Sequence, residues 1–317
     1  MKKILIVGAG GQIGSELVPF LRSIYGDTNV VAADISAEKC AKLAECGPFE
    51  EVNALDKNRF IEVVKKHKVD TIFNMVALLS ATGEKNPELA WDVNIGALTN
   101  SLNIGRDNNC AVFTPSSIGA FGNDTPKECT PQDTLQRSNT TIYGVCKVTG
   151  ELLSDYYYHR FGVDTRSVRF PGLISYVTLP GGGTTDYAVE IYYDAIRKGS
   201  FTSNIQAGTY MDMMYMPDAL NAVVKLMEAD PAKLKHRNSF NIASMSFDPE
   251  EIAAEIKKHI PDFKLDYNVD PVKQAIADSW PNSMDDSCAR EEWGWKPEFN
   301  LKTMTEDMLV KVREKLK

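Results

Sequence analysis

Short runs of apolar and β-branched residues alternate with amphipathic stretches through the first half of the chain. Apolar runs of strand length indicate strands buried on both faces, and apolar positions at helical spacing indicate helices packed against them. The predicted strands are 4–7, 29–34, 71–75, 110–114 and 163–169, with a weaker one at about 49–53. The predicted helices are 12–24, 37–46, 57–67, 86–106 and 142–161. This alternation predicts right-handed βαβ units, and therefore an α/β domain with a doubly wound parallel sheet.

The pattern changes after Pro171. The predicted elements that follow are a glycine-rich loop at 180–183, an amphipathic helix to about Lys198, a strand near 210–213, and helices at 217–229, 248–259 and about 301–316. Asp248 is a predicted N-cap, with Pro249 at the first helical position. We therefore predict a sheet domain of residues 1–170 plus about 209–241, and a smaller, discontinuous α+β lobe of about 171–208 and 242–317.

Composition excludes several classes of function. Lys and Arg number 35 against 43 Asp and Glu, a formal net charge of -8, and no basic run is present, so nucleic acid is not expected as a partner. No apolar stretch approaches the roughly 20 residues of a membrane helix, and the N-terminal apolar run is too short for a signal peptide. The six scattered cysteines predict reduced thiols in a cytoplasmic protein. The four histidines lack zinc-site spacing, so no metal site is predicted.

The first predicted strand leads directly into a glycine-rich turn in which a helix begins. Glycines let the backbone turn sharply and approach a pyrophosphate, whose charge is stabilised by the amide groups of the helix N-terminus. The spacing G-x-x-G-x-x-G matches the dinucleotide fingerprint, although glycines also mark ordinary turns. The predicted cofactor-binding residues of this turn are Gly8, Gly10, Gly11, Gln12, Ile13 and Gly14.

Asp34 ends the second predicted strand, 20 residues after Gly14. A carboxylate at this place accepts hydrogen bonds from the ribose hydroxyls of adenosine and repels a 2′-phosphate. No Arg follows Asp34 within the next few residues, so NAD is favoured over NADP as the cofactor. The alternative is that Asp34 only caps the next helix.

Tyr143 and Lys147 lie four residues apart on a predicted helix and therefore project from one face. A tyrosine provides little phenolate base near neutral pH because the pKa of a phenol is about 10. A neighbouring ammonium and a positive nicotinamide ring favour the phenolate. The phenolate can then take a hydroxyl proton. Ser117, or with less support Ser116, follows the fifth strand and can donate to the reacting oxygen. The alternative is a surface tyrosine beside a solvated lysine.

Together, the glycine turn, Asp34, Ser117 and the Tyr143/Lys147 pair resemble the extended short-chain dehydrogenase/reductase family, in its epimerase/dehydratase-like branch. The resemblance covers the first half of the chain in order and spacing. It implies a Rossmann-like fold and an NAD cofactor. The branch includes epimerases, dehydratases and reductases, so this part of the resemblance implies no particular substrate.

Further motifs are similar to those of the short-chain L-threonine 3-dehydrogenases, a family within this branch. The similar segments are 77–84, 115–122, 180–187, 213–218, 276–281, 285–287 and 293–295. Several of them lie in the predicted smaller lobe, and the similarity spans nearly the whole chain. Members of that family oxidise the β-hydroxyl of L-threonine with NAD to 2-amino-3-oxobutyrate, which loses carbon dioxide to give aminoacetone or is cleaved to glycine by a coenzyme A ligase.

Carried onto the matching positions, this resemblance implies a catalytic set of three residues. Tyr143 would be the base, Lys147 would lower its pKa and hold the nicotinamide ribose, and Ser117 would orient the substrate hydroxyl. The residues expected to bind the amino acid are Ser80, Ser116, Ser117, Tyr143, Gly183, Thr184, Thr185, Asp186 and Trp280. The further cofactor contacts expected are Asn53, Ala54, Val76, Ala77, Asn94 and Leu173.

Two of these assignments have alternatives. Threonine is a zwitterion, and the segment 183–186 offers backbone N–H groups and hydroxyls for its carboxylate. Asp186 is either an ammonium partner or an acid at a helix N-terminus, and Trp280 is either a pocket wall or core. One departure from the family concerns Asn53-Ala54, where relatives commonly carry an Asp followed by an aliphatic residue. We expect the Asn53 amide to keep the adenine contact in weaker form.

Two other functions remain open at this point. One is a nucleotide-sugar epimerase or reductase, whose diphosphate substrate needs convergent cations; Arg197, Lys198, Arg237 and Arg290 are candidates without a convincing pair. The other is a non-catalytic NAD-sensing protein, against which the presence of both Tyr143 and Lys147 argues. The family resemblance also implies a homodimer through the helices at 86–106 and 142–161, and functional coupling to a glycine-forming coenzyme A ligase.

Overall fold

The computed structural model describes residues 1–134, 140–179, 181 and 183–317 of the chain. Its strands are β1 (Ile4–Val7), β2 (Val30–Asp34), β3 (Phe49–Glu51), β4 (Thr71–Asn74), β5 (Ala111–Phe113), β6 (Ser116–Ser117), β7 (Thr165–Arg166), β8 (Val168–Phe170), β9 (Gly172–Ile174), β10 (Ser200–Ser203), β11 (Met211–Tyr215), β12 (Phe240–Asn241), β13 (Met245–Phe247) and β14 (Lys264–Tyr267). Its helices are α1 (Gln12–Tyr25), α2 (Ala41–Glu45), α3 (Lys57–His67), α4 (Ser80–Lys85), α5 (Pro87–Asn108), α6 (Ile142–Phe161), α7 (Tyr187–Lys198), α8 (Met216–Glu228), α9 (Pro249–Lys257), α10 (Pro271–Ser279), α11 (Ser287–Trp293) and α12 (Leu301–Lys315).

The central sheet is parallel and has the strand order β3-β2-β1-β4-β5-β7. All residues of β1 and β2 are buried, as expected for strands covered by helices on both faces. The order runs outward in both directions from β1, so a crevice forms where the connections diverge, at the carboxyl ends of β1 and β4. The predicted α/β fold with a doubly wound, Rossmann-like sheet is confirmed.

The strand predicted at 163–169 is in fact two strands. β7 pairs with β5 in the central sheet, whereas β8 pairs with β6 and β12 in a separate sheet. The same break separates β5 from β6, where Pro115 has no amide hydrogen to continue the ladder. Apolar pattern alone did not detect this change of sheet, which carries Ser116 and Ser117 away from the central sheet.

One predicted helix was wrong in extent. The helix predicted at 37–46 is reduced to α2, because that helix buries none of its residues and contacts the core through the partly buried Leu43, so little packing stabilises a longer helix. The helix predicted at 86–106 is found as α5, which begins at Pro87, and the separate helix α4 that precedes it was not predicted. Asp248 caps α9 as predicted, since its side chain accepts from the backbone N–H groups of Glu250 and Glu251. In the predicted 180–183 loop, residues 180 and 182 lie outside the described residues.

The buried apolar side chains form separate clusters that meet at β11. Met214 packs with the β1, α1 and α8 cluster, whereas Met213 and Tyr215 pack with a cluster built from α7, α9 and α12. Alternate side chains of a strand point to opposite faces, so β11 serves both clusters. Within the described part of the chain, no helix combines the length and apolarity required to cross a bilayer.

Candidate active site

A cleft of about 390 Å³ opens at the carboxyl ends of β1 and β4 and extends to the turn that precedes α7. It brings together residues that are far apart in the sequence. Those from the predicted site that line it are Gly10, Gly11, Gln12, Ile13, Gly14, Ala77, Ser80, Ser116, Ser117, Tyr143, Lys147, Leu173, Gly183, Thr184, Thr185, Asp186 and Trp280. The volume is in the range of small-molecule sites.

The glycine turn between β1 and α1 packs tightly against neighbouring backbone and exposes the N-terminus of α1. Gly8 has φ of 85°, and a Cβ on it would lie 2.9 Å from the backbone of Met75 and Val76. A Cβ on Gly14 would overlap the Gly8 carbonyl oxygen. Gly11 is the N-cap of α1, has no side-chain cap, and the first turn of the helix carries no acidic residue. The N-terminal amides and the helix dipole are therefore suited to a pyrophosphate.

Asp34 braces this turn. Its Oδ2 accepts a hydrogen bond from the Gly10 backbone N–H at 2.8 Å, and its Oδ1 accepts from the Ser36 N–H at 2.9 Å. Asp34 thus braces the glycine turn and does not cap the next helix, whose N-cap is Cys40, and it sits at the end of β2 where a ribose is expected. Asp34 itself does not line the cleft as described, and its contact with a cofactor stays a prediction.

Tyr143 and Lys147 both face the cleft from the first turns of α6. The Thr141 hydroxyl caps this helix by accepting from the Gly144 N–H at 3.1 Å. The Lys147 Nζ donates to the Pro115 carbonyl oxygen at 2.6 Å and lies 5.3 Å from the centre of the Tyr143 ring. The ammonium is therefore held close to the phenol by the backbone that leads into β6.

Ser117 lies beside Tyr143 across a glycine. A Cβ on Gly119 would lie 3.1 Å from Tyr143 Cε1 and 3.5 Å from Ser117 Oγ, so the two side chains approach each other over Gly119. The Ser117 Oγ accepts from the Gly119 N–H at 3.1 Å, which leaves its proton available to a ligand. The structure thus brings Tyr143, Lys147 and Ser117 together in one cleft.

Ser116 has a different environment from Ser117. Its hydroxyl donates to the Glu151 carboxylate, and both residues are buried. Glu151 in turn accepts two hydrogen bonds from Arg169, at 3.0 and 2.9 Å. The hydroxyl of Ser116 is therefore engaged in a buried network; Ser116 also lines the cleft, and its contact with a substrate stays a prediction.

The opposite wall of the cleft contains polar groups near the start of α7. Thr184 is 1% exposed, and its Oγ1 has no hydrogen-bond partner among the described residues. The Asp186 Oδ2 accepts from the Gly183 N–H at 2.6 Å, so this carboxylate stabilises the turn in which it lies. Trp280 is 7% exposed and belongs to a core cluster as well as to the cleft wall, which unites its two predicted roles.

Besides Gly8 and Asp34, four predicted cofactor residues lie outside the cleft lining. Val76 and Asn94 face an adjoining cavity of about 30 Å³ behind Lys147. Asn94 fixes the loop after β4, because its amide exchanges two hydrogen bonds with the backbone of Leu78, at 2.7 and 3.2 Å. Asn53 caps its own turn, and Ala54 is buried. Their contacts with a cofactor stay predictions.

Sequence reasoning missed several residues of the cleft. Lys39 lies in the turn before α2, and a Cβ on Gly10 would lie 3.0 Å from the Cβ of Lys39. Lys39, five residues after Asp34, is the sequence signal for this cation, where only an Arg was expected. Thr178 and Leu179 also line the cleft, and the Thr178 hydroxyl lies 3.1 Å from the Ser15 hydroxyl on α1.

A sequence profile of the NAD dependent epimerase/dehydratase family matches residues 4–243. A protein of Staphylococcus aureus (strain MRSA252), described as an uncharacterized epimerase/dehydratase, is 58% identical over 315 residues, which are 99% of this chain and 98% of that protein. The X-ray structure of L-threonine dehydrogenase from Clostridium difficile is 59% identical, with a TM-score of 0.97 over 99% of this chain and 98% of that one. L-threonine dehydrogenase from Phytophthora infestans is 46% identical, with a TM-score of 0.95 over 99% and 100%.

Proposed function

The chain belongs to the NAD dependent epimerase/dehydratase family, and within it we propose that this enzyme oxidises the 3-hydroxyl of L-threonine to 2-amino-3-oxobutyrate with NAD. One observation carries the proposal. A single cleft has the glycine turn, Tyr143 and Ser117 on one side and Thr184 and Trp280 on the other. The two structures compared above, both of them L-threonine dehydrogenases, support threonine as the substrate.

The residues present fit a nicotinamide dinucleotide. The first amides of α1 have no side-chain cap and no acidic neighbour in the first turn, and the absence of a side chain on Gly14 lets α1 pack closely against the backbone of Gly8 and Ala9. The Asp34 carboxylate, at the end of β2, disfavours a 2′-phosphate and so favours NAD. When bound, the nicotinamide supplies the hydride acceptor. The residues that would hold it are the glycine turn, Ala77, Lys147 and Leu173.

Proton transfer falls to Tyr143. The positive charge of Lys147, fixed by the Pro115 carbonyl, stabilises negative charge on the phenol oxygen. The Tyr143 phenolate takes the proton of the substrate hydroxyl as the C–H bond breaks, and the Ser117 hydroxyl donates to the same substrate oxygen. Geometric fixation of all three groups on β6 and α6 keeps the reacting oxygen in place.

The amino acid end of threonine needs donors for its carboxylate. The buried Thr184 hydroxyl, which lacks a partner, and the neighbouring Thr185 provide donors beside the cleft. A buried hydroxyl without a partner costs free energy that a bound carboxylate recovers. Ser80, at the start of α4, reaches the same cleft. Trp280 closes it on the apolar side and restricts the size of the substrate.

The alternative substrate, a nucleotide sugar, is less well supported by the charges. The cations among the described residues lining the cleft are Lys39 and Lys147. The four cations considered from the sequence are engaged elsewhere: Arg197 over Tyr193, Lys198 with Asp194, Arg237 with Asp164, and Arg290 with Asp286. The described smaller-lobe wall thus offers no pair of cations for a diphosphate.

The test is NADH absorbance after mixing purified protein with NAD and L-threonine, with D-threonine, L-serine and UDP-galactose in parallel. NADH formation with L-threonine alone is the expected result. Turnover of the sugar nucleotide, with no reaction on threonine, would move the function to the epimerase or reductase alternative and leave the fold unaffected.

We further propose a cytoplasmic homodimer whose product is passed to a coenzyme A ligase.

A further inference from the structure

A second group of reactive side chains lies outside the cleft. The ligand atoms of His236, Cys288 and Glu292 all lie within 4.8 Å of one another, and none of the three residues lines the cleft. His236 belongs to the segment between α8 and β12, whereas Cys288 and Glu292 lie four residues apart on α11. Residues at this spacing project from the same face of a helix.

The hydrogen bonds around Glu292 orient it as a ligand. One carboxylate oxygen, Oε2, accepts from the backbone N–H groups of Lys235 and His236, at 2.6 and 3.2 Å. The other oxygen, Oε1, faces the Nδ1 of His236 in a direct hydrogen bond. The carboxylate is therefore held by the backbone at one oxygen while the second oxygen is directed at the imidazole.

The imidazole of His236 is also held on its far side. Its Nε2 lies 3.2 Å from the Asp133 Oδ2, while its Nδ1 faces the Glu292 Oε1. A carboxylate that accepts from the second ring nitrogen fixes the ring orientation and tautomer of a metal-binding histidine. Asp133 thus stands where a supporting acceptor is needed, outside the ligand set itself.

We propose that this chain binds Zn²⁺ through the His236 Nδ1, the Cys288 Sγ and the Glu292 Oε1, with water as the fourth ligand. The zinc ion takes the place of the proton between His236 and Glu292, and the Cys288 thiol releases its proton to solvent. Tetrahedral zinc with bonds of about 2.0–2.3 Å requires ligand atoms roughly 3.3–3.6 Å apart. The present ligand atoms lie within 4.8 Å of one another, so binding requires adjustments of about 1 Å in their separations.

The ligand chemistry selects the metal. Thiolate and imidazole favour zinc and similar borderline-soft cations, while Mg²⁺ and Ca²⁺ need sets made of oxygen atoms. A bound ion joins α11 to the segment that leads into β12, where the Trp293 and Phe240 rings already stack edge to face at 5.8 Å. Zinc at this place is therefore a stabilising ion that takes no part in the proton transfer at Tyr143.

The first test uses CoCl₂ as a spectroscopic probe on chelator-treated protein. A thiolate ligand produces an intense sulfur-to-cobalt charge-transfer band, which we expect in the wild type and in Cys46→Ser, a variant of an exposed cysteine. The band is expected to be absent in Cys288→Ser. Its absence from the wild type, or its persistence in Cys288→Ser, would overturn the proposal.

The second test measures ZnCl₂ affinity by competition with a chelating dye. We expect Cys288→Ser to weaken binding at least tenfold, and Asp133→Ala to weaken it by about 10–100-fold because the acceptor that orients the His236 ring is lost. Zinc should also raise the thermal midpoint of the wild type more than that of Cys288→Ser. Equal affinities in all three proteins would contradict the assignment, and retained dehydrogenase activity in each variant shows that it is folded.

Discussion

The Ser116 hydroxyl donates to the Glu151 carboxylate, which binds one face of Arg169 through both of its oxygens. Arg169 continues the contacts through its Nη1, which donates to the Gln132 carbonyl and to the Asn241 side chain, both at 3.0 Å. This buried chain joins α6 to β6, β8 and β12. It therefore positions the strand that carries Ser117 relative to the helix that carries Tyr143.

Adjacent serines should consequently respond in different ways to alanine. Ser117→Ala is expected to lower kcat by about 10²-fold, as for loss of one donor to the reacting oxygen, and to lower the unfolding free energy by only about 0.5–1 kcal/mol through loss of the Gly119 hydrogen bond. Ser116→Ala is expected to lower the unfolding free energy by about 1–3 kcal/mol, because Glu151 loses a donor in a buried site. Urea titrations and steady-state kinetics on both variants measure the two effects. Equal kinetic losses would refute the distinction.

Tyr143→Phe should remove the proton acceptor and little else. We expect kcat to fall by about 10²–10⁴-fold, while NADH binding, followed by fluorescence, stays near the wild-type value. Tyr156→Phe on the exposed face of the same helix is the matched control and should retain full activity. Full activity in Tyr143→Phe would eliminate it as the base.

Asp34→Ala is expected to weaken the binding of NAD, since a charged acceptor for the ribose is lost. The preference for NAD over NADP in kcat/KM is expected to fall by about tenfold. The variant also loses the two hydrogen bonds that brace Gly10 and Ser36. Asp34→Asn therefore serves as control, because its amide oxygen keeps one backbone contact while the charge is removed. The ratio of kcat/KM for the two cofactors is the measurement. An unchanged ratio in both variants would limit Asp34 to bracing the turn.

Glu16 on α1 should make stability depend on pH. Burial raises its pKa from 4.5 to about 7, despite the hydrogen bond from Ser175 and the charge of Lys315. The native state then binds more protons than the unfolded chain between these values, so this group's contribution to stability falls as pH rises through that interval.

Glu16→Gln removes that dependence. Relative to wild type, the variant should gain unfolding free energy between pH 4.5 and 7, by on the order of 2 kcal/mol at the upper end. Urea midpoints measured across this range check the sign. A difference between the two proteins that does not change with pH would contradict the expectation.

The proposed dimer can be tested on an apolar surface of α5 and α6. These helices pack together and expose the large apolar side chains Leu89, Trp91, Leu152, Tyr156 and Phe161. Leu152→Glu is expected to convert a dimer to a monomer in light scattering after gel filtration, because a charge at an apolar interface is costly. Val310→Glu, at an exposed site on α12, is the control. A monomeric wild type would overturn the dimer.

Much of the fold was predictable because the apolar residues in the first half of the chain have a strong periodicity, and because glycines and helix caps mark where elements begin and end. The 4–7 run and Gly8 marked the start of the sheet, and Asp248 with Pro249 marked a helix start. The change of sheet between β7 and β8 was not predictable, since it depends on pairing with β6 and β12. Such pairing is a tertiary property that local apolar pattern does not contain.

The parts of the candidate site that were predictable depend on residues close together in the sequence, such as the glycine turn and pairs at helical spacing. Tyr143 and Lys147 are an example, because four residues on a helix suffice to place them together. The hydrogen bond that engages Ser116 was not predictable because its partner, Glu151, is 35 positions away. The His236–Glu292 pair is 56 positions apart, so it lies outside the short spacings that indicate metal ligands in a sequence.

The position of three side chains on α6 has a consequence for catalysis. Tyr143, Lys147 and Glu151 follow one another at intervals of four on a single 20-residue helix. Their mutual spacing of about 6 Å per step is set by helix geometry and by the Glu151 anchor. Movement of the other wall can change the width of the cleft while base and ammonium keep their separation. The cleft can therefore open for substrate entry and product release without changing the distance between the Tyr143 phenol and the Lys147 ammonium.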